Sequence, residues 1–126
     1  MHLSGEKEAV MITIEEAKAY LRVDSSFEDS LISSLMASSE ALCMDVARLS
    51  ADEWDEIRDT DPDVPSAHQI QGNTLTTGEV IRMRNTLRIA VFFTLGYLYE
   101  HREEADHHDL VLTLRNLLFA IREGVV

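Results

Sequence analysis

Lysine and cysteine are scarce in this chain, and each shortage argues against a class of protein. The only lysines are Lys7 and Lys18, and the formal net charge is -12. Tight binding to nucleic acid neutralises phosphates with Lys and Arg, so such binding is not expected. Cys43 is the single cysteine, which excludes an internal disulfide and fits a reducing compartment. The N-terminus shows no apolar core of a signal peptide, and we expect a cytosolic protein.

Long hydrophobic runs are also lacking, with one exception, LRIAVFFTLGYLY at residues 87–99. This run is shorter than the roughly 20 residues of a membrane span and longer than a typical strand. It therefore predicts a helix, and because apolar residues surround it, we expect cover on more than one side. The helix is either the centre of a bundle or half of a subunit contact. Gly96 predicts a close approach by another backbone, since glycine inside a helix costs about 1 kcal/mol.

Cap residues followed three positions later by an acidic residue mark four helix starts. These pairs are Thr13 with Glu16, Ser26 with Asp29, Ser50 with Glu53, and Thr76 with Glu79. They predict helices over about 14–22, 27–49 and 78–101, with a short one around Trp54 and Ile57. A last helix ends near Glu123, with Gly124 at its C′ position. The apolar face predicted for the second helix consists of Phe27, Leu31, Leu35, Leu42, Val46 and Leu49. The apolar face predicted for the last helix consists of Leu110, Leu114, Leu117 and Ile121, with Val111 and Leu118.

The fold class predicted from these patterns is all-α. We expect a small bundle of about four helices, with a long acidic loop between the second and the central helix. Residues 1–10 are predicted to be a flexible extension, and residues 11–126 a single helical domain.

Motifs for chemistry are weak, and the sequence predicts neither an enzyme nor a cofactor nor a metal site. Asp59, Asp61 and Asp63 resemble the start of a calcium loop, but that loop needs Gly and Glu where Val64 and Ile70 stand. No Ser/His/Asp order, phosphate loop or dinucleotide fingerprint is found, and Cys43 is interpreted as a small core residue. A metal-dependent enzyme remains as an alternative, using His101, His107 and His108.

Charge is distributed unevenly along the chain. Arginines cluster at the start of the central helix, whereas the segment before it is strongly acidic. Two solvated surfaces would explain this pattern. So would a contact in which the arginines of one subunit meet the acidic segment of its neighbour. Such a contact generates a ring if the rotation closes. The sequence leaves both interpretations open. The residues concerned are Arg82, Arg84 and Arg88, and Asp52, Glu53, Asp55, Glu56, Asp59, Asp61 and Asp63.

Three stretches resemble the head–tail connector proteins of tailed bacteriophages and prophages. MITIEEAKAYLRVDSSFEDSLISSLMASSEAL, at Met11 to Leu42, resembles the family's N-terminal helix pair. LTLRNLLFAIREGVV, at Leu112 to Val126, is similar to its C-terminal segment. The central helix ends in YLYEHRE, at Tyr97 to Glu103, like the family's aromatic-rich helix with a Tyr-x-x-Arg-Glu pattern. Residues 50–77 carry no resemblance.

The resemblance implies a subunit that assembles into a homo-oligomeric ring below the portal protein. Such a ring extends the DNA channel and docks tail-side proteins, at the virion head–tail junction and, during assembly, in the bacterial host cytoplasm. DNA would pass through without specific binding, and no membrane is involved. We hypothesise that the seven acidic residues face the channel or a neighbouring subunit. The hypothesised subunit interface consists of Arg82, Arg84, Arg88, Phe92, Phe93, Tyr97 and Tyr99.

An alternative function is a non-catalytic helical interaction module. It would bind one partner helix through a surface at Phe92 and Phe93. This alternative predicts a monomer or a closed dimer, whereas the connector hypothesis predicts a ring.

Overall fold

A computed structural model describes residues 10–103 and 106–124. Most of the predicted extension at 1–10 therefore lies outside the described residues. The prediction of a mainly helical fold is confirmed, but the all-α class and the count of about four helices are wrong, because six helices and a two-stranded sheet are present in the described ranges. In chain order the elements are α1 (Ile14–Leu21), α2 (Asp29–Val46), α3 (Ala51–Asp59), β1 (Ala67–Ile70), β2 (Asn73–Thr76), α4 (Thr77–Glu100), α5 (His108–Leu117) and α6 (Phe119–Arg122).

Capping boxes begin three of the helices, as predicted. In α1 the Glu16 backbone N–H donates to Thr13 Oγ1 at 3.0 Å, while the Thr13 N–H donates to the Glu16 carboxylate at 2.8 Å. Ser50 begins α3 and Thr76 begins α4 in the same way. These boxes form because each pairs two backbone N–H groups that the first turn of a helix leaves unsatisfied.

The predicted cap at Ser26 is wrong, and so is the predicted burial of Phe27. Helix α2 begins at Asp29 after Glu28, which makes no side-chain cap hydrogen bond. Phe27 lies in the turn before the helix with 96% of its surface exposed. The helical period that would place Phe27 on the stripe of Leu31 does not apply, because the backbone is not yet helical there.

A β-hairpin replaces much of the predicted acidic loop. Strands β1 and β2 are antiparallel, with Ala67 opposite Thr76 and Ile70 opposite Asn73. Gln71 and Gly72 form the two-residue turn with φ of 53° and 77°, the left-handed backbone that tight hairpins favour. A single buried apolar residue from each strand joins the core, Ile70 from β1 and Leu75 from β2. One pair of apolar residues is too weak a pattern to predict a strand, which explains why the sequence predicted a loop here.

Helix α4 is the centre of the fold, with bounds within one residue of the prediction. It contacts α1, α2, α3, α5 and both strands. Cover is incomplete, however, because Ile89 is 60% exposed and Phe93 is 38% exposed. Both stand on one side of the helix, four residues apart. The buried residues of α4 are Thr77, Val80, Met83, Leu87, Ala90, Val91, Thr94 and Leu95.

Gly96 is approached by a side chain, and the prediction of a neighbouring backbone is wrong. A Cβ at this position would lie 3.1 Å from Cε2 of Tyr20, which belongs to α1. The Tyr20 ring also packs against Phe92, with 5.2 Å between the ring centroids. Glycine therefore lets α1 lie close to α4 through an aromatic ring.

The last predicted helix is divided in two at Leu118. Leu118 and Ile121 are buried together with Leu110 and Leu114, whereas Leu117 is exposed, contrary to the prediction. Because the helix is interrupted at Leu118, the buried face of α5 does not continue into α6. Gly124 has φ of 71°, which confirms its C′ role after this helix.

Cys43 is buried in the core, as predicted. Its Sγ lies 3.5 Å from Thr94 Oγ1, and the Thr94 hydroxyl donates to the Ala90 carbonyl oxygen at 2.8 Å. Burial raises the pKa of the Cys43 thiol to about 11. The thiolate is therefore scarce at neutral pH, and this cysteine is a poor nucleophile.

Candidate functional site

Two of the three arginines assigned to a subunit contact make contacts within their own chain. Arg84 donates from Nη1 to the carbonyl oxygens of Arg58 and Thr60, at 3.1 and 2.8 Å. It therefore supplies hydrogen-bond donors to the carbonyl groups at the carboxyl end of α3. Arg88 donates from Nη2 to Glu16 at 2.7 Å and from Nη1 to the Met11 carbonyl oxygen.

Arg82 is the exposed member of this arginine cluster. The structure therefore brings Arg84 and Arg88 into the fold and leaves Arg82 at the surface. A contact with a neighbouring subunit would have to rely mainly on Arg82 among the three. Arg88 still lies near the surface aromatic groups, since its guanidinium carbon is 5.7 Å from the Phe92 ring centroid.

The Glu16–Arg88 pair makes the free energy of unfolding depend on pH. The hydrogen bond from Arg88 holds the pKa of the Glu16 carboxyl below its ordinary value. A lowered folded-state pKa stabilises the fold above the unfolded-state pKa, and this contribution is lost as pH falls through the folded-state pKa. We expect Glu16→Gln to be less stable than wild type at pH 7, with a difference that disappears toward pH 3. Urea unfolding across this pH range measures the difference.

Glutamine is the matched replacement because it keeps an oxygen for the capping box and removes only the charge. Glu79→Gln, in the capping box of α4, is the control. The pKa of Glu79 is also lowered, but the main cause is the hydrogen bond from the Thr76 backbone N–H and not an arginine. A Glu16→Gln deficit that stays constant down to pH 3 would contradict the assignment to the ion pair.

The acidic segment splits into an inward and an outward set. Glu53 accepts the Gln71 backbone N–H at 2.5 Å, and Glu56 contacts His68, so these two carboxylates hold the hairpin against α3. Arg58 pairs with two of the aspartates, at 3.0 and 2.8 Å. The outward set, all exposed, is Asp52, Asp55, Asp59, Asp61 and Asp63.

The aromatic residues assigned to the interface also differ in their accessibility. Phe92 is half-buried under the Tyr20 ring, while Tyr97 stacks on His101 with 4.1 Å between centroids. The Tyr99 hydroxyl donates to Glu28 at 2.5 Å. These contacts join the carboxyl end of α4 to α1 and to the turn before α2. The exposed apolar stripe of α4, which we define as Ile89 and Phe93, remains open to solvent.

Sequence reasoning missed an apolar surface around α2. A groove of about 440 Å³ runs between α2 and the end of α4. Phe27, whose ring is exposed, precedes Leu31 of this groove by four residues in the sequence. Large apolar side chains at an open surface are typical of contact sites. The groove is lined by Leu31, Leu35, Ser38, Leu42, Leu98, His101, Arg102 and His107.

Two of the three histidines considered as metal ligands, His101 and His107, contact the Tyr97 ring. Besides the stack with His101, the Tyr97 ring meets His107 edge-on, at 5.8 Å between centroids. Among residues 10–103 and 106–124, no group of three or more His, Cys, Asp or Glu side chains could hold a metal ion. Within the same ranges, no helix has the length and apolar character needed to cross a membrane.

A hydrogen-bonded network on the hairpin was also missed. His68 Nδ1 lies 2.5 Å from Glu56 Oε2, and its Nε2 lies 2.9 Å from Ser66 Oγ. Thr77 Oγ1 contacts the same nitrogen at 3.2 Å. The network connects α3, β1 and the first residue of α4. The sequence offered one usable signal for the hairpin, the glycine turn at Gln71 and Gly72 between Ile70 and Leu75.

Comparisons with protein-family models, with curated proteins and with solved structures find no match for this chain.

Proposed function

We propose that this protein is a structural subunit of a phage or prophage head–tail connector, forming a ring below the portal. The resemblance of Met11–Leu42, of Leu112–Val126 and of the central helix supports this role. The observation that carries it is the exposed apolar stripe, Ile89 and Phe93, in the middle of the most central helix. A helix that supplies the core and also presents apolar groups to solvent suits a subunit that buries this face against a neighbour.

The charge of the exposed surface fits a channel that DNA crosses without being held. Five aspartates of the acidic segment face solvent, and the chain carries a formal net charge of -12. Counterion release, the main source of affinity for DNA, requires cationic side chains. The proposed partners are the portal protein and tail-side proteins, at the virion head–tail junction after assembly in the host cytoplasm. This role requires neither catalysis nor a cofactor.

Mass in solution tests the proposal. Light scattering on a sizing column, over a wide concentration range and with or without a portal protein from the same genome, is expected to show a discrete species of many subunits. Because a portal ring templates its connector, the species forms with the portal even where the free chain is a monomer. A chain that remains monomeric in both conditions contradicts the connector role.

A non-catalytic interaction module is the second candidate, and the leucine groove next to Phe27 favours it. Phe27 precedes α2, and the groove begins at Leu31 of the same helix, so two copies related by a two-fold axis could each insert Phe27 into the other's groove. This candidate predicts a closed dimer that dissociates when Phe27 is replaced by alanine. The same substitution leaves a ring built on Ile89 and Phe93 intact, which distinguishes the two candidates.

A further inference from the structure

The Ser66–His68–Glu56 network has the order of contacts found in serine acyl transferases and hydrolases. A hydroxyl contacts one ring nitrogen of a histidine, and a carboxylate contacts the other, at 2.9 and 2.5 Å. The serine–histidine distance falls in the range for a nucleophile and its base, and the carboxylate contacts the ring nitrogen that an orienting group would occupy. The three residues come from α3 and from the start of the hairpin.

Counting donors and acceptors indicates where the protons lie. The Thr77 hydroxyl donates to the Val64 carbonyl oxygen at 2.9 Å and accepts the Ser66 backbone N–H at 2.9 Å. With the Thr77 proton so engaged, the Ser66 hydroxyl can donate to His68 Nε2 at 2.9 Å or to Thr77 Oγ1 at 3.3 Å, and the shorter contact favours the histidine. Glu56 is a carboxylate acceptor, so His68 Nδ1 carries the proton that it receives. In a neutral imidazole this is the tautomer that accepts from a serine at Nε2.

Burial and exposure are distributed as a reactive serine needs. His68 is 6% exposed, so its ring is held firmly between α3 and α4, whereas Ser66 is exposed. A depression of about 330 Å³ lies next to His68. Ser66 stands outside this lining, two residues before His68, and the acidic groups around the depression disfavour anionic substrates that approach it. The lining residues are Asp52, Glu53, Glu56, Ala67, His68 and Gln69.

We propose that Ser66 is a base-activated nucleophile that accepts an acyl group from small neutral or cationic activated esters. Ser66 Oγ bonds to the carbonyl carbon as His68 Nε2 takes the hydroxyl proton. The bond from carbon to the leaving alcohol oxygen then breaks, and His68 returns the proton to that oxygen. Ser66 is left as an ester, which water hydrolyses to a carboxylic acid by the reverse proton path. Glu56 is a positioning residue, since it acts through His68.

The proposal is independent of the connector role and is tested with the full chain. A fluorophosphonate probe forms a bond from Ser66 Oγ to phosphorus as fluoride leaves, and intact mass with peptide mapping locates the label. We expect labelling at Ser66 and not at the exposed serines Ser25, Ser30 and Ser33, which serve as internal controls in the same spectra. Ser66→Ala is expected to abolish the label.

Two further variants separate activation from folding. General bases typically contribute about 10²–10⁴-fold, so His68→Gln should slow labelling by at least roughly 100-fold. Because His68 is buried and this variant could unfold, Glu56→Gln on the exposed side of α3 provides the second test. It should slow labelling while circular dichroism shows an unchanged helix content. Glu56→Asp, which keeps the carboxylate, should retain more of the labelling rate than Glu56→Gln.

The labelling results either support or overturn the assignment of Ser66 as a nucleophile. Label confined to Ser66 and reduced in both variants supports the proposal. No label at Ser66, equal label on the control serines, or a rate unchanged by Glu56→Gln overturns it and leaves the network a structural link. Light scattering on the unlabelled chain bears only on the connector role, and labelling bears only on Ser66, so failure of one proposal is not failure of the other.

Discussion

Replacing Leu87 by alanine is expected to lower the free energy of unfolding by about 2–5 kcal/mol. Leu87 is 0% exposed in the middle of α4, the helix that all other major elements contact. Its truncation removes apolar contacts and leaves a cavity that neighbouring elements close only in part. Urea unfolding followed by circular dichroism measures the loss.

Ile89→Ala is the matched control because it changes the same helix two residues away. Ile89 is largely exposed, and alanine has the higher helix propensity, so the monomeric chain should change by less than about 0.5 kcal/mol. Similar losses for both variants in a monomeric sample would contradict the assignment of one buried and one exposed side to α4. In an assembled sample, a loss specific to Ile89→Ala would report the subunit contact.

Placing aspartate at both Ile89 and Phe93 is expected to disassemble the proposed ring and leave the monomer folded. Two charges on the exposed stripe repel each other and the acidic partner surface, and desolvating them in a contact is costly. Light scattering should show a shift from the many-subunit species to the monomer. Circular dichroism should show unchanged helix content, because neither position is in the core.

Leu112→Asp is the control for this variant. Leu112 is exposed to a similar extent, at 44%, but it lies on α5. It should keep the assembled mass if α4 supplies the contact. Assembly that survives the double α4 substitution, or that is lost equally in the Leu112 variant, would reject the apolar stripe as the subunit interface.

Part of the candidate site followed from the sequence, and part did not. The exposed stripe was contained in the predicted interface through Phe93, and the outward aspartates were contained in the predicted acidic surface. The pattern could not separate Arg82 from Arg84 and Arg88, because their neighbours on the helix are similar. Their difference arises from groups far along the chain, since Arg84 meets the end of α3 and Arg88 meets α1.

Phe27 illustrates the limit of periodicity. A helical repeat predicted it on the buried face of α2, yet the chain enters the helix two residues later. Whether an apolar residue is covered depends on what packs beside it, and this information is not contained in spacing. The same limit explains Leu117, since the break at Leu118 turned its face outward.

The sequence by itself determined the features that act within one helical turn. Thr13, Ser50 and Thr76 each cap a helix through a partner three residues away, and Gly124 adopts the left-handed backbone after the last turn. Tertiary structure decided the contacts between distant segments, such as Glu16 with Arg88 and Glu56 with His68. The physical reason is range. Caps and turns depend on the local backbone, whereas burial and ion pairs depend on which elements meet.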